Sequence, residues 1–129
     1  MLNRQSVKEL FNPSSSMSQP KKLLFVCTEN RMRSLTAETI YEGFPGYEVK
    51  SAGTETSART LVTQEHINWA DMVFVMEEEH VEILQERFGE ALNAKPVICL
   101  NIPDIYRYME PALIDDLKAA LREYVDLPG

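Results

Sequence analysis

Three residues of this 129-residue sequence have types and spacing suited to covalent chemistry: Cys27, Arg33 and Ser34. Cys27 ends the apolar run Leu23-Leu24-Phe25-Val26, and the polar stretch Thr28-Glu29-Asn30-Arg31-Met32 separates it from Arg33. A thiolate is a strong nucleophile, and its formation is favoured at a helix N-terminus or beside a cation. A phosphoryl group in transfer spreads negative charge over three equatorial oxygens. A guanidinium fork and a row of loop N–H groups suit those oxygens. The chemistry this predicts is attack on phosphorus by Cys27, with Arg33 as phosphate clamp. Ser34 donates its hydroxyl to the thiolate, and Asn30 braces a left-handed loop conformation.

Such chemistry needs a strand that ends at the cysteine and a helix that starts just beyond it. Lys22 to Val26 reads as a buried, central parallel strand. From Ser34 onward, Ala37, Ile40, Tyr41 and Phe44 recur at helical spacing, and Pro45-Gly46 ends the helix. Strand, tight loop and helix bring backbone N–H groups and the positive end of the helix dipole to one point, an anion site. The residues expected to bind phosphate there are Thr28, Glu29, Asn30, Arg31, Met32, Arg33 and Ser34.

The rest of the chain alternates in the same way. Tyr47 to Ser51 reads as a strand nearer the edge, followed by Ser51-Ala52-Gly53-Thr54. Thr63 caps a helix running to about Ala70. Met72 to Met76 is a second buried strand. Glu77-Glu78-Glu79 opens a helix whose stripe is Val81, Leu84 and Phe88, with Gly89 at its end. Pro96 to Leu100 reads as the fourth strand, with Cys99 buried inside it, and Pro111 starts a last helix. The alternation predicts an α/β fold: a single three-layer domain of about four parallel strands, helices on both faces, and the phosphate-binding loop after the first strand. Residues 1–20 read as an N-terminal extension expected to be flexible, and 21–129 as the domain. Ligands in such sheets bind beyond the strands' carboxyl ends. Cys27 and Asp104 both follow such ends, so they can meet. Asp104 is the candidate acid for an alcohol or phenol leaving group. Tyr106 and Tyr108 in its loop could stack on an aromatic substrate.

The loop from Cys27 to Ser34, the Ser51-Ala52-Gly53 segment and the pair Asp104 and Tyr106 together resemble the low-molecular-weight protein tyrosine phosphatase family. The resemblance covers about residues 22–125. It implies Cys27 as nucleophile, Arg33 as phosphate clamp, Asn30 as loop organiser, Ser34 as thiolate donor, Ser51 as a brace for the loop and Asp104 as general acid. It implies a phosphocysteine intermediate, phosphotyrosine as the substrate, and no metal or other cofactor. The chain departs from the family at Glu29, where a glycine is usual and where the side chain is expected to point outward. It departs also at Leu35 for proline, Met32 for a second cysteine, and Ile105 for the proline between the aspartate and the tyrosine.

Composition bounds the partners. A formal net charge of -7 argues against nucleic acid, which attracts basic surfaces. No apolar run reaches membrane-spanning length, and the N-terminal residues lack the apolar core of a signal peptide. Two cysteines, Cys27 and Cys99, make no disulfide framework and fit a reducing compartment, so the cytoplasm is expected. His66 and His80 have no partners at metal-ligand spacing and read as solvent-facing or packing residues. The expected partner is a phosphorylated protein or a small phosphomonoester, and the expected state a monomer or weak dimer. The alternatives are arsenate reduction on the same scaffold, for which only Cys99 could relay a disulfide, a phosphocarrier, and a non-catalytic phosphopeptide-binding pseudophosphatase.

Overall fold

The computed structural model describes residues 19–129; most of the expected N-terminal extension lies outside the described residues. Four strands and four helices alternate: β1 Lys21–Cys27, α1 Arg33–Ile40, β2 Tyr47–Gly53, α2 Gln64–Trp69, β3 Met72–Val75, α3 Glu78–Leu92, β4 Val97–Cys99 and α4 Pro111–Leu121. The strands form one sheet in the order β2-β1-β3-β4, and every pairing is parallel.

The apolar run of β1 is central because both its faces are covered. Leu23, Phe25 and Cys27 face α1 and α4 in one core, and Leu24 and Val26 face α2 and α3 in the other. All four residues Leu23–Val26 are 0 % exposed. Burying each such side chain contributes about 1.5–3 kcal/mol. Phe25 stacks between Tyr41 and Phe74, with ring centroids 6.1 and 5.3 Å away. The chain leaves β1 toward β2 on one side and reaches β3 on the other. The crevice beyond the carboxyl ends of β1 and β3 is therefore the switch point of the sheet.

Three local expectations are corrected. α1 stops at Ile40 rather than Phe44, because Gly43 takes a φ of 76° and turns the chain, while Phe44 still packs on Tyr41 and Tyr47. α3 runs through Gly89 to Leu92, which is buried in the core under the sheet. That burial outweighs the cost of about 1 kcal/mol for a glycine inside a helix. Cys99 is half-buried rather than buried, since β4 is a three-residue edge strand, and its thiol donates to Asn101 Oδ1 at 3.4 Å.

Candidate active site

The loop between β1 and α1 wraps around the sulfur of Cys27. Asn30 adopts a φ of 58°, the left-handed conformation its short polar side chain tolerates. This turns its backbone N–H onto Cys27 Sγ at 3.3 Å. Ser34 Oγ lies 3.0 Å from the same sulfur. Asn30 Nδ2 donates to Ser34 Oγ and to Ser51 Oγ, both at 2.8 Å. Ser34 Oγ accepts from Asn30, and its own hydrogen has two acceptors in reach, the Cys27 sulfur and the Ala52 carbonyl at 3.4 Å. Ser51 in turn donates to Glu38. Asn30, Ser34 and Ser51 thus form one buried chain behind the nucleophile.

The outer side of the loop is cradled by residues 54–59. The N–H of Thr54 donates to the Cys27 carbonyl at 3.0 Å, that of Glu55 to Thr28 at 3.1 Å, and that of Arg59 to Glu29 at 3.0 Å. Arg59 Nε donates to the Asn30 carbonyl at 3.3 Å. Four successive carbonyls of the loop, from Cys27 to Asn30, are thus bound on its outer side. Gly53 permits this approach: a Cβ there would stand 2.5 Å from the Thr28 carbonyl oxygen. Glu29 leans on the same cradle, both carboxylate oxygens accepting from the Ser57 hydroxyl at 3.0 and 3.1 Å. Arg31 Nη2 donates to the Ser57 carbonyl at 3.2 Å.

Arg33 is the largest fully buried side chain, 2 % exposed. Its Nη1 donates to Glu77 Oε1 at 2.9 Å and to the Ile102 carbonyl at 2.8 Å, from the loops after β3 and β4. Its Nε lies 3.8 Å from Asp104 Oδ1. One edge of the guanidinium is thus fixed to the scaffold, while its Nε side faces Asp104. A cavity of about 190 Å³ opens between them, lined by Cys27, Thr28, Glu29, Arg31, Met32, Arg33 and Asp104. The structure therefore brings the expected nucleophile, clamp and acid to one cavity. Tyr106 and Tyr108 do not line it. Tyr106 donates its hydroxyl to Asp116 on α4, and Tyr108 bonds Thr39 on α1 at 3.0 Å.

Sequence reasoning missed His80. It is 0 % exposed, and its Nε2 lies 3.0 Å from Thr28 Oγ1 in the loop. Its Nδ1 accepts the N–H of Glu77 at 3.0 Å, closing a capping box at the start of α3. Nδ1 being an acceptor, Nε2 carries the proton and donates to Thr28. Burial, and then the charge of Arg33, push its pKa down to about 4, so the ring is neutral at physiological pH. The sequence signal was Glu77 three residues before His80, a spacing that allows this reciprocal cap. The other histidine, His66, serves as the corresponding cap residue of α2 with Thr63.

No family model matches the sequence. A protein-arginine-phosphatase of Geobacillus stearothermophilus is 35% identical, over 56% of this chain and 65% of the relative, so the match spans just under two thirds of that protein. Among solved structures, the YwlE arginine phosphatase of Geobacillus stearothermophilus superposes with a TM-score of 0.57 at 28% identity, over 83% of this chain and 99% of that one. The tyrosine phosphatase Wzb of Escherichia coli K30, in complex with phosphate, gives a TM-score of 0.67 at 21% identity, over 82% and 96%. The low-molecular-weight protein tyrosine phosphatase SP-PTP of Streptococcus pyogenes gives 0.65 at 15%, over 82% and 94%. The last two speak for the fold alone; the sequence matches, with the Cys27 loop, carry the assignment further. The chain is similar, in its fold and in its Cys27 loop, to low-molecular-weight protein tyrosine phosphatases.

Proposed function

We propose that this protein hydrolyses phosphomonoesters through a phosphocysteine, with phosphotyrosine in proteins as its substrate. The observation that carries this reading is the joint placement of Cys27 Sγ, Arg33 and Asp104 around one cavity, with Ser34 Oγ 3.0 Å from the sulfur. The Cys27 thiolate attacks phosphorus while the bond to the leaving oxygen breaks, and Asp104 gives that oxygen its proton. The loop N–H groups and Arg33 hold the three equatorial oxygens as charge develops on them. The Asp104 carboxylate then takes a proton from water as that water attacks phosphorus. The S–P bond breaks, and the departing sulfur regains the Ser34 hydrogen bond. The reduced thiol this chemistry needs supports a cytoplasmic setting. No helix among the described residues is long and apolar enough to cross a membrane.

Arsenate reduction draws less support. Cys27 on β1 and Cys99 on β4 are separated by β3, about 10 Å at the usual strand spacing, and a disulfide needs Cα atoms within ~7 Å. A phosphoarginine substrate is the second reading, favoured by the 35% identity to a protein-arginine-phosphatase.

Hydrolysis of para-nitrophenyl phosphate by the reduced protein, beside Cys27→Ser, tests the activity. Turnover by wild type alone, with a phosphocysteine trapped on acid quench, is expected. Turnover by Cys27→Ser at the wild-type rate would refute the mechanism. Rates on tyrosine- and arginine-phosphorylated copies of one peptide then decide between the two substrates.

A further inference from the structure

We propose that His80 is a positioning residue: through its bonds to Thr28 and to the Glu77 backbone, its imidazole sets the register between the phosphate loop and the start of α3. The proposal rests on the phosphatase reading of the same site. Two parts of that site come from distant segments. The loop position after the nucleophile, Thr28, comes from the end of β1. The carboxylate on the Arg33 guanidinium, Glu77, follows β3. Strand pairing brings these segments side by side but does not fix how the two loops sit on each other. His80 ties them through one rigid ring. Nε2–H donates to Thr28 Oγ1 and Nδ1 accepts from Glu77 N–H, each at 3.0 Å.

Chemistry and burial both point to a specific role. A residue meant only to fill the core at a position that is 0 % exposed would be apolar, as Leu84 is one turn further along α3. A residue meant only to cap α3 would need only the Nδ1 bond. The second bond, to a residue 52 positions earlier in the chain, ends on the phosphate loop. The charged groups facing the ring are Arg33, Glu77 and Asp104; Arg33 and Asp104 line the cavity, and Glu77 holds the Arg33 guanidinium. If His80 shifted, Glu77 would shift with it, and Arg33 would lose the partner that aims its Nη1 edge away from the cavity.

The test is carried out on the full chain, with inorganic phosphate as the probe. His80→Asn keeps an acceptor near the Nδ1 position for the Glu77 N–H but falls short of Thr28. Thr28→Val removes the other end of the same bond. Each is expected to weaken phosphate binding, and kcat/KM for para-nitrophenyl phosphate, by about five- to tenfold, the factor of one lost hydrogen bond. The double variant should be no worse than the weaker single one, because both remove one interaction. His80→Gln, whose amide N–H can reach Thr28, should restore phosphate affinity to within about twofold of wild type.

A purely structural role predicts a different pattern. His80→Asn would then lower the melting temperature while phosphate binding at 20 °C stayed at wild-type strength, about onefold change. That result, or independent multiplying effects of the two single variants, overturns the proposal. Should His80→Asn fail to fold, unchanged phosphate binding by Thr28→Val overturns it equally. Wild type that binds phosphate but hydrolyses no ester would refute the phosphatase reading and leave the binding series to judge His80. Wild type that binds no phosphate refutes both.

Discussion

Buried and neutral, His80 makes the stability of this protein depend on pH in a defined window. In the folded state its pKa is pushed from 6.5 down to about 4, first by burial and then by Arg33. An unfolded chain has neither influence, so its histidine takes a proton near 6.5. Unfolding is therefore accompanied by uptake of about one proton between these limits. The contribution is fully present above pH 6.5 and is lost as the pH falls toward about 4. The span is worth about 3 kcal/mol at 1.36 kcal/mol per pH unit, a large share of the stability of an ordinary domain. His66, whose pKa is also lowered by burial, acts in the same direction. The assay is urea unfolding at pH 7.0 and 4.5 on wild type and on His80→Gln, which keeps hydrogen-bonding groups but cannot be protonated there. Wild type should lose about 2–3 kcal/mol more than the variant across that interval. Equal losses in the two proteins would refute the reasoning, for the proton would then be entering elsewhere.

Other substitutions test the rest of the site. In Gly53→Ala the new methyl would meet the Thr28 carbonyl at 2.5 Å and the Ala58 Cβ at 2.7 Å. The phosphate loop should be pushed off its cradle, at a cost of about 1–3 kcal/mol in denaturant unfolding and about a hundredfold in kcat/KM. Asp104→Asn should lower kcat on a phosphotyrosine peptide by about 10²–10³, and by less on para-nitrophenyl phosphate, whose leaving group scarcely needs a proton. Equal losses on both esters would remove Asp104 from the acid role. Ser34→Ala deletes the hydroxyl beside the sulfur and should slow release of the phosphocysteine by about tenfold or more, the factor of one charge-assisted bond. Rapid quench should then show the covalent intermediate building up.

What could be read in the sequence was whatever is local. β1 was legible because an unbroken apolar run bounded by polar residues has few other uses. Cys27, Arg33 and Ser34 were legible because their chemistry and spacing lie within one turn of chain. Parallel pairing and the meeting of Cys27 with Asp104 followed from alternation and the geometry of such sheets, whereas the strand order did not. What escaped is non-local. Nothing near His80 announces a bond to Thr28, and nothing near Tyr106 announces that Asp116 will take its hydroxyl. The cradle from Thr54 to Arg59 left few traces, Gly53 and the Arg59 side chain, because backbone N–H groups do the rest of that work and carry no side-chain signature. The ends of α1 and α3 were misread for a related reason: Gly43 turned the chain before the apolar stripe ran out, and Leu92 held α3 together past Gly89.

The fastening of Arg33 has a meaning for the growing chain. Its guanidinium is held by groups 44 and 69 residues further on. A ribosome that has made the whole nucleophile loop has not yet made the atoms that immobilise its arginine. Until Ile102 has been added and β4 has docked, that cation has no carbonyl to bind in the interior. The fastening of Arg33 therefore waits for the chain just beyond the last strand of the sheet rather than for the segment that carries the sulfur. A nascent chain with Cys27 already in place still lacks the groups that fasten Arg33 beside it.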